Sequence, residues 1–148
     1  MRPPGRIGPD MRSRLFGPLG AASGLMGVAA GAFGAHALRG VLPPDLLQAF
    51  ETGSRYQIAH ALALILTAFA LERRDGGALA WAGWLFLVGQ VLFSGSLYAL
   101  ALSGVRLWGV VTPFGGICLM AGWLMLGIGL ARGGRSGGAS RRPEGSAP

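Results

Sequence analysis

The only two histidines, His36 and His60, stand in apolar stretches that also contain Tyr56, Gln57, Ser94, Ser96, Tyr98 and Thr112. Among apolar neighbours, groups of these types can ligate a metal, line a ligand pocket, or bond one helix to another. A protein metal site takes three or four ligands, and two histidines with no cysteine or acid beside them supply two. We therefore assign no metal and no cofactor; axial ligation of a haem by His36 and His60 is the one alternative of that kind. The only cysteine, Cys118, lies in an apolar run and reads as a small packing residue. No nucleophile with its base, phosphate-binding loop or lipidation signal is present in the sequence.

Positioning these groups falls to helices that cross a bilayer. Of 148 residues, 51% are hydrophobic and only 13% charged, against about 25% charged in soluble domains; the mean hydropathy is +0.50. A span needs about 20 mostly apolar residues. The sequence divides into four, at about 15–38, 55–71, 79–102 and 107–131, and every acidic residue falls outside them. The fold class is therefore all-α: an integral membrane four-helix bundle with short loops. The first span also has the look of a secretory signal, but its apolar run is longer than a signal core. Met11, followed by Arg-Ser-Arg, is a possible alternative start.

The net charge of +7 comes from 13 arginines and no lysine. They cluster in tails and loops rather than alternating with aromatics, which favours membrane topology over nucleic-acid binding. Ten lie in the tail 1–14, the loop at 73–74 and the tail 132–148, whereas Arg39, Arg55 and Arg106 lie on the other side. The positive-inside rule places both termini in the cytoplasm of a cell whose inner membrane holds the protein. The Gly-, Ser-, Arg- and Pro-rich tail 132–148 reads as disordered.

In the first outer loop, Pro43 and Pro44 precede a segment in which Leu46, Leu47 and Phe50 share a helical face and Gly53 supplies a stop. This predicts a short outer interfacial helix with those side chains in lipid, after which Ser54 and Gln57 form a capping box for the second span. Thr112 is expected as N-cap of the last helix, with Pro113 first inside it and residues 104–111 forming an outer turn. Trp81 and Trp84 mark the inner belt, and Trp108 the outer headgroups.

Glycines 17, 20, 24, 27, 31 and 34 alternate by three and four, drawing one stripe down the first span. We read the run Gly20, Gly24, Gly27, Gly31 and Gly34 as a packing surface that meets a helix of the same chain. The topology also brings His36, Tyr56, Gln57, His60, Ser94, Ser96, Tyr98 and Thr112 to one depth in the outer leaflet. Gln57 and Tyr56 lie three and four residues before His60, so each neighbours it on the helix surface, and Gln90, Ser94 and Tyr98 form a similar file. Interhelical bonding and a binding pocket both remain open for this polar cluster.

The segments GAFGAHAL (31–38), FETGSRYQIAHALAL (50–64), FSGSLYAL (93–100) and TPFGGICLMAGW (112–123) together resemble the YgdD-like family of small bacterial inner-membrane proteins. That family is domain of unknown function 423, and it is similar to the eukaryotic transmembrane protein 256. The resemblance covers about residues 15–131 and implies a four-helix inner-membrane protein. The arginine-rich extensions depart from the compact family form.

The expected function is that of a non-enzymatic membrane protein binding a small ligand, a lipid or a protein partner through the outer cluster. The alternative is a small transporter or channel, possible as a homo-oligomer because four spans rarely enclose a pore. The expected partners are the lipid bilayer and a membrane protein or second copy, with no nucleic acid.

Overall fold

The computed structural model describes residues 11–73 and 76–132. Its long helices are α1 (Met11–Phe33), α2 (Pro44–Arg73), α3 (Gly77–Ser103) and α4 (Thr112–Arg132). A π-helical turn over Gly34–Leu38 follows α1, and a 3-10 turn over Arg106–Val110 precedes α4. All four segments are long and apolar enough to cross a membrane. Large apolar side chains such as Leu25, Leu62, Val91 and Met120 stand exposed around the outside, as a lipid-facing surface requires and a water-facing one does not tolerate. The proposed tail 132–148 beyond Arg132, and residues 1–10, lie outside the described residues. The first helix takes in Met11 to Arg14, ahead of the span expected from residue 15.

The helices pack in chain order, α1 on α2, α2 on α3 and α3 on α4. Methyl groups built on the α1 glycines identify what each faces. Gly17, Gly24 and Gly31 meet Ala68, Ala61 and Ser54, while Gly20 and Gly27 meet Ile65 and Ile58, and Gly34 meets the Phe50 ring. The steps of seven from Gly17 to Gly24 to Gly31, and from Gly20 to Gly27, are thus answered by steps of seven back along α2. Such matching is the geometry of antiparallel helices in close backbone approach.

A second stripe lies on α4. Gly115, Gly122 and Gly129 receive Phe93, Phe86 and Leu79 of α3, again seven apart on both sides, and Leu119 returns the contact into Gly89. The main apolar core includes Phe16, Leu64, Leu79, Phe86, Leu119 and Leu126. Phe16 reaches from α1 to α3, where it lies against Gly83 and meets Trp84 edge-on at 5.4 Å between ring centroids.

The outer interfacial helix is not a separate element, because its residues are the first turns of α2. Pro43 accepts the bond from Leu47 N that opens the helix, with Pro44 in the first turn. A glycine stop needs a left-handed backbone, and the described glycines with positive φ are Gly40 and Gly104, not Gly53. Gly53 is small for another reason: a methyl there would come 3.0 Å from Cε1 of Tyr98. Phe50 does not face lipid; it is buried with Leu38 and Ala101. The Ser54–Gln57 capping box does not form, since Ser54 sits inside the helix and donates to the carbonyl of Gly27 at 2.8 Å. At α4, Val111 O accepts from the amides of Phe114 and Gly115, so the cap is Val111, and the Thr112 hydroxyl bonds Ser96 at 2.8 Å instead.

Candidate functional site

One chain of hydrogen bonds ties α3 to α2, α2 to α1, and α1 back to α3. Tyr98 OH donates to Oε1 of Gln57 at 2.8 Å. Nε2 of Gln57 donates to the carbonyl oxygen and to Oγ of Ser23, at 3.2 and 3.3 Å. Ser23 Oγ donates to Oε1 of Gln90 at 2.6 Å. Every donor points the same way, so the chain ends on the amide nitrogen of Gln90.

That nitrogen has no partner, and neither has Oγ of Ser94 one turn further along α3. Gln90 is 6% exposed and Ser94 2%. A helical serine commonly bonds the carbonyl four residues back, and Ser94 does not. Gln90 and Ser94 are among the residues around a cavity of about 340 Å³ between α1 and α3, whose apolar wall includes Leu19, Met26, Leu87 and Val91, although these two atoms are themselves closed off by their neighbours. Met26 and Val91 are 63% and 66% exposed, so they form its mouth toward the surrounding lipid. Among the described residues no charged one lines it.

The other polar residues lie elsewhere. His60 turns from the cavity toward α4: its Nδ1 meets Tyr56 O at 2.7 Å, and its Nε2 accepts from Nε1 of Trp123 at 3.2 Å. Both ring nitrogens are thereby engaged by the protein. Tyr56 stacks on Phe93 at 4.6 Å and on His60 at 5.8 Å. Ser96 donates to Phe93 O at 3.0 Å and shares its bond with Thr112 between α3 and α4. His36 is exposed in the π-helical turn. The expected cluster is therefore divided: Gln57, Ser94 and Tyr98 at the cavity, His60 on Trp123 of α4 with Tyr56 stacked between it and Phe93, Ser96 and Thr112 in a third pair, and His36 apart. Among the described residues no group of three His, Cys, Asp or Glu stands close enough to hold a metal ion.

Ser23 and Trp123 were not singled out by sequence reasoning, and Gln90 appeared only in the file with Ser94 and Tyr98. Ser23 carried a signal, since it is the only polar side chain in the middle of α1, beside the glycine stripe. Trp123 looked like any aromatic of an apolar run.

Four apolar helices in antiparallel register, with their polar groups buried between them, define an all-α membrane protein of the four-helix class. The profile of the family described as "Protein of unknown function (DUF423)" matches residues 30–116, and the chain belongs to that family. It is 43% identical over 114 residues to UPF0382 membrane protein YwdK of Bacillus subtilis, covering 76% of this chain and 93% of that protein. It is likewise 43% identical over 122 residues to UPF0382 inner membrane protein YgdD of Escherichia coli K12, covering 82% and 93%. UPF0382 membrane protein SH2409 of Staphylococcus haemolyticus is 45% identical over 113 residues, with 76% and 92% covered. No solved structure matches.

Proposed function

We propose that this protein is a non-enzymatic membrane protein that holds a small lipid-soluble ligand in the cleft between α1 and α3. The observation that carries the reading is the cavity itself, an apolar cleft open toward lipid with Ser23, Gln57, Gln90, Ser94 and Tyr98 in its wall. The volume of about 340 Å³ lies at the small end of ligand pockets, which run from about 300 to 1,000 Å³. The lining belongs to one chain, so binding needs no second copy. With ten arginines against three, the inner membrane holds the protein with both termini cytoplasmic, and the cavity extends from mid-membrane toward the outer leaflet.

The test is purification of the full chain in a mild detergent, followed by mass spectrometry of co-purifying small molecules. A species retained in near-stoichiometric amount by the parent and lost by Gln90→Leu is the expected result. Recovery of only bulk lipids, in the same proportions for both proteins, would overturn the reading.

A further inference from the structure

We propose that a second site, at the arginine-bearing end of the bundle, holds the phosphate headgroup of an anionic membrane lipid on Arg12, Trp81 and Trp84. A cavity of about 320 Å³ is lined there by Arg12 of α1 and by Gly77, Ala80, Trp81 and Trp84 of α3. It lies between the first turns of the two helices and shares no lining residue with the cleft further along them. Register aims Arg12 at this place. Phe16 lies against Gly83 and Trp84, and Arg12 stands one turn before Phe16 on the same face of α1. Because α1 and α3 both begin at this end, one turn back from Gly83 and Trp84 brings Arg12 level with Ala80 and Trp81.

The charge of the wall selects the ligand. Arginine is its one charged residue, so the group that fits is an anion. A guanidinium offers five N–H donors in a planar fork that matches phosphate oxygens, enough to serve a phosphate alongside bonds within the protein. The surroundings strengthen the preference: among the described residues, Arg12, Arg14, Arg73 and Arg132 stand at this end against one acid, Glu72. The N-cap of α3 is Gly76, which has no side chain to cap the helix, and no acid stands in its first turn. The positive end of the α3 dipole therefore adds to the field where Gly77 lines the cavity.

Depth favours a lipid over a soluble phosphate. Met11–Leu38 spans 28 residues, about 42 Å at 1.5 Å per residue, against a hydrocarbon core about 30 Å thick. Centred on that core, the segment leaves about 6 Å beyond each edge, which puts Arg12 in the headgroup layer. Trp81 lies four residues into α3, about 6 Å along a helix about 40 Å long, and so meets the edge of the core itself. An indole, with an apolar body and one N–H donor, suits that boundary. Trp81 and Trp84 are 65% and 43% exposed, which leaves both rings surface for a lipid. A free phosphate would use Arg12 alone, whereas a phospholipid sets its phosphate on Arg12 and its glycerol and first methylenes on the tryptophans. Basic pockets between membrane helices recognise headgroups in this way.

The experiment uses the full chain, purified and delipidated in a mild detergent, with binding counted by native mass spectrometry. The probes are dioleoyl phosphatidylglycerol, dioleoyl phosphatidylethanolamine and glycerol 3-phosphate. One saturable phosphatidylglycerol, bound about tenfold more tightly than either other probe, is the expected result. Arg12→Gln should weaken it about tenfold or more, as loss of charge-assisted hydrogen bonds requires. Arg14→Gln removes the same charge about 200° round the helix, and should weaken it no more than about fivefold, the general attraction of one basic residue for an anionic surface. Trp81→Leu keeps an apolar side chain and should weaken binding about threefold; thermal stability of each lipid-free variant checks that the fold is kept. Equal losses in the two arginine variants would reduce the site to diffuse attraction and overturn it. Equal affinity for phosphatidylethanolamine would overturn the selection of an anionic lipid, and glycerol 3-phosphate bound as tightly as phosphatidylglycerol would overturn the lipid source. Unchanged binding in both Arg12→Gln and Trp81→Leu would overturn the assignment of this cavity.

Discussion

The indole nitrogen of Trp123 donates to Nε2 of His60 at 3.2 Å, while Nδ1 of the same ring lies 2.7 Å from the carbonyl oxygen of Tyr56. A carbonyl only accepts and an indole N–H only donates, so the hydrogen must be on Nδ1 and the ring neutral. One imidazole thereby joins α4 to α2, two helices with few other contacts.

Trp123→Phe keeps the ring packing but removes the donor. It should cost about 0.6 to 2 kcal/mol of stability, the range of interhelical hydrogen bonds in membranes. Unfolding in a denaturing detergent, with nitrogen NMR of labelled histidine to identify the tautomer, checks both statements. A hydrogen on Nε2 would refute the arrangement.

The stripe on α1 predicts overpacking. Gly27→Leu should insert as well as the parent yet lose about 1 to 3 kcal/mol, because even a methyl there comes 2.8 Å from Ile58. Val28→Leu, at a position 59% exposed, should cost clearly less. Equal stability of Gly27→Leu and the parent would mean that α1 does not lean on α2.

On α4 two adjacent glycines should behave differently. A methyl on Gly115 meets the backbone of Phe93, whereas one on Gly116 lies 3.7 Å from the Phe93 ring, an ordinary contact. Gly115→Ala should therefore destabilise, and Gly116→Ala should be neutral or gain up to about 1 kcal/mol from helix propensity. The comparison needs only thermal denaturation of the two purified variants.

Gly53→Leu should displace the Tyr98 ring and with it the bond to Gln57. If so, its cost falls when Tyr98 is already Ala, giving a double-mutant coupling of about 0.5 to 3 kcal/mol. Additive losses would show that Gly53 serves some other purpose.

Orientation is checked by fusions. Cytoplasmic reporters placed after residues 74 and 131 should be active, and one placed near Asp45 inactive, following the arginine count. Activity at Asp45 alone would invert the topology.

Hydropathy made the spans legible because a helix in lipid satisfies its own backbone, leaving apolar length as the main requirement. The α1 stripe was legible for a similar reason, since its spacing is internal to one helix. Facing was not. Depth follows residue number at about 1.5 Å per residue, so Tyr56 and Gln57 stand at one level; successive residues also turn about 100°, so Tyr56 stacks on Phe93 of α3 while Gln57 bonds Ser23 of α1. Which neighbour occupies each direction depends on the arrangement of the whole bundle, and no period within one helix encodes it. Gly53 misled for a simpler reason: a helix stop and a close contact both call for the smallest residue.

The two runs of sevenfold contacts divide the molecule into an α1–α2 hairpin and an α3–α4 hairpin, each in register within itself. This bears on how the chain enters the bilayer during synthesis. The first hairpin carries hydrogen bonds of its own, Ser54 to Gly27 and Gln57 to Ser23, while Oε1 of Gln57 and the hydroxyl of Ser23 still await Tyr98 and Gln90 when it leaves the translocation channel. Gln90 and Tyr98 reach their partners only once the second hairpin docks on the first. Assembly of the halves and formation of the cavity are therefore the same event, and a chain halted after α2 would be inserted and hairpin-shaped but unable to bind.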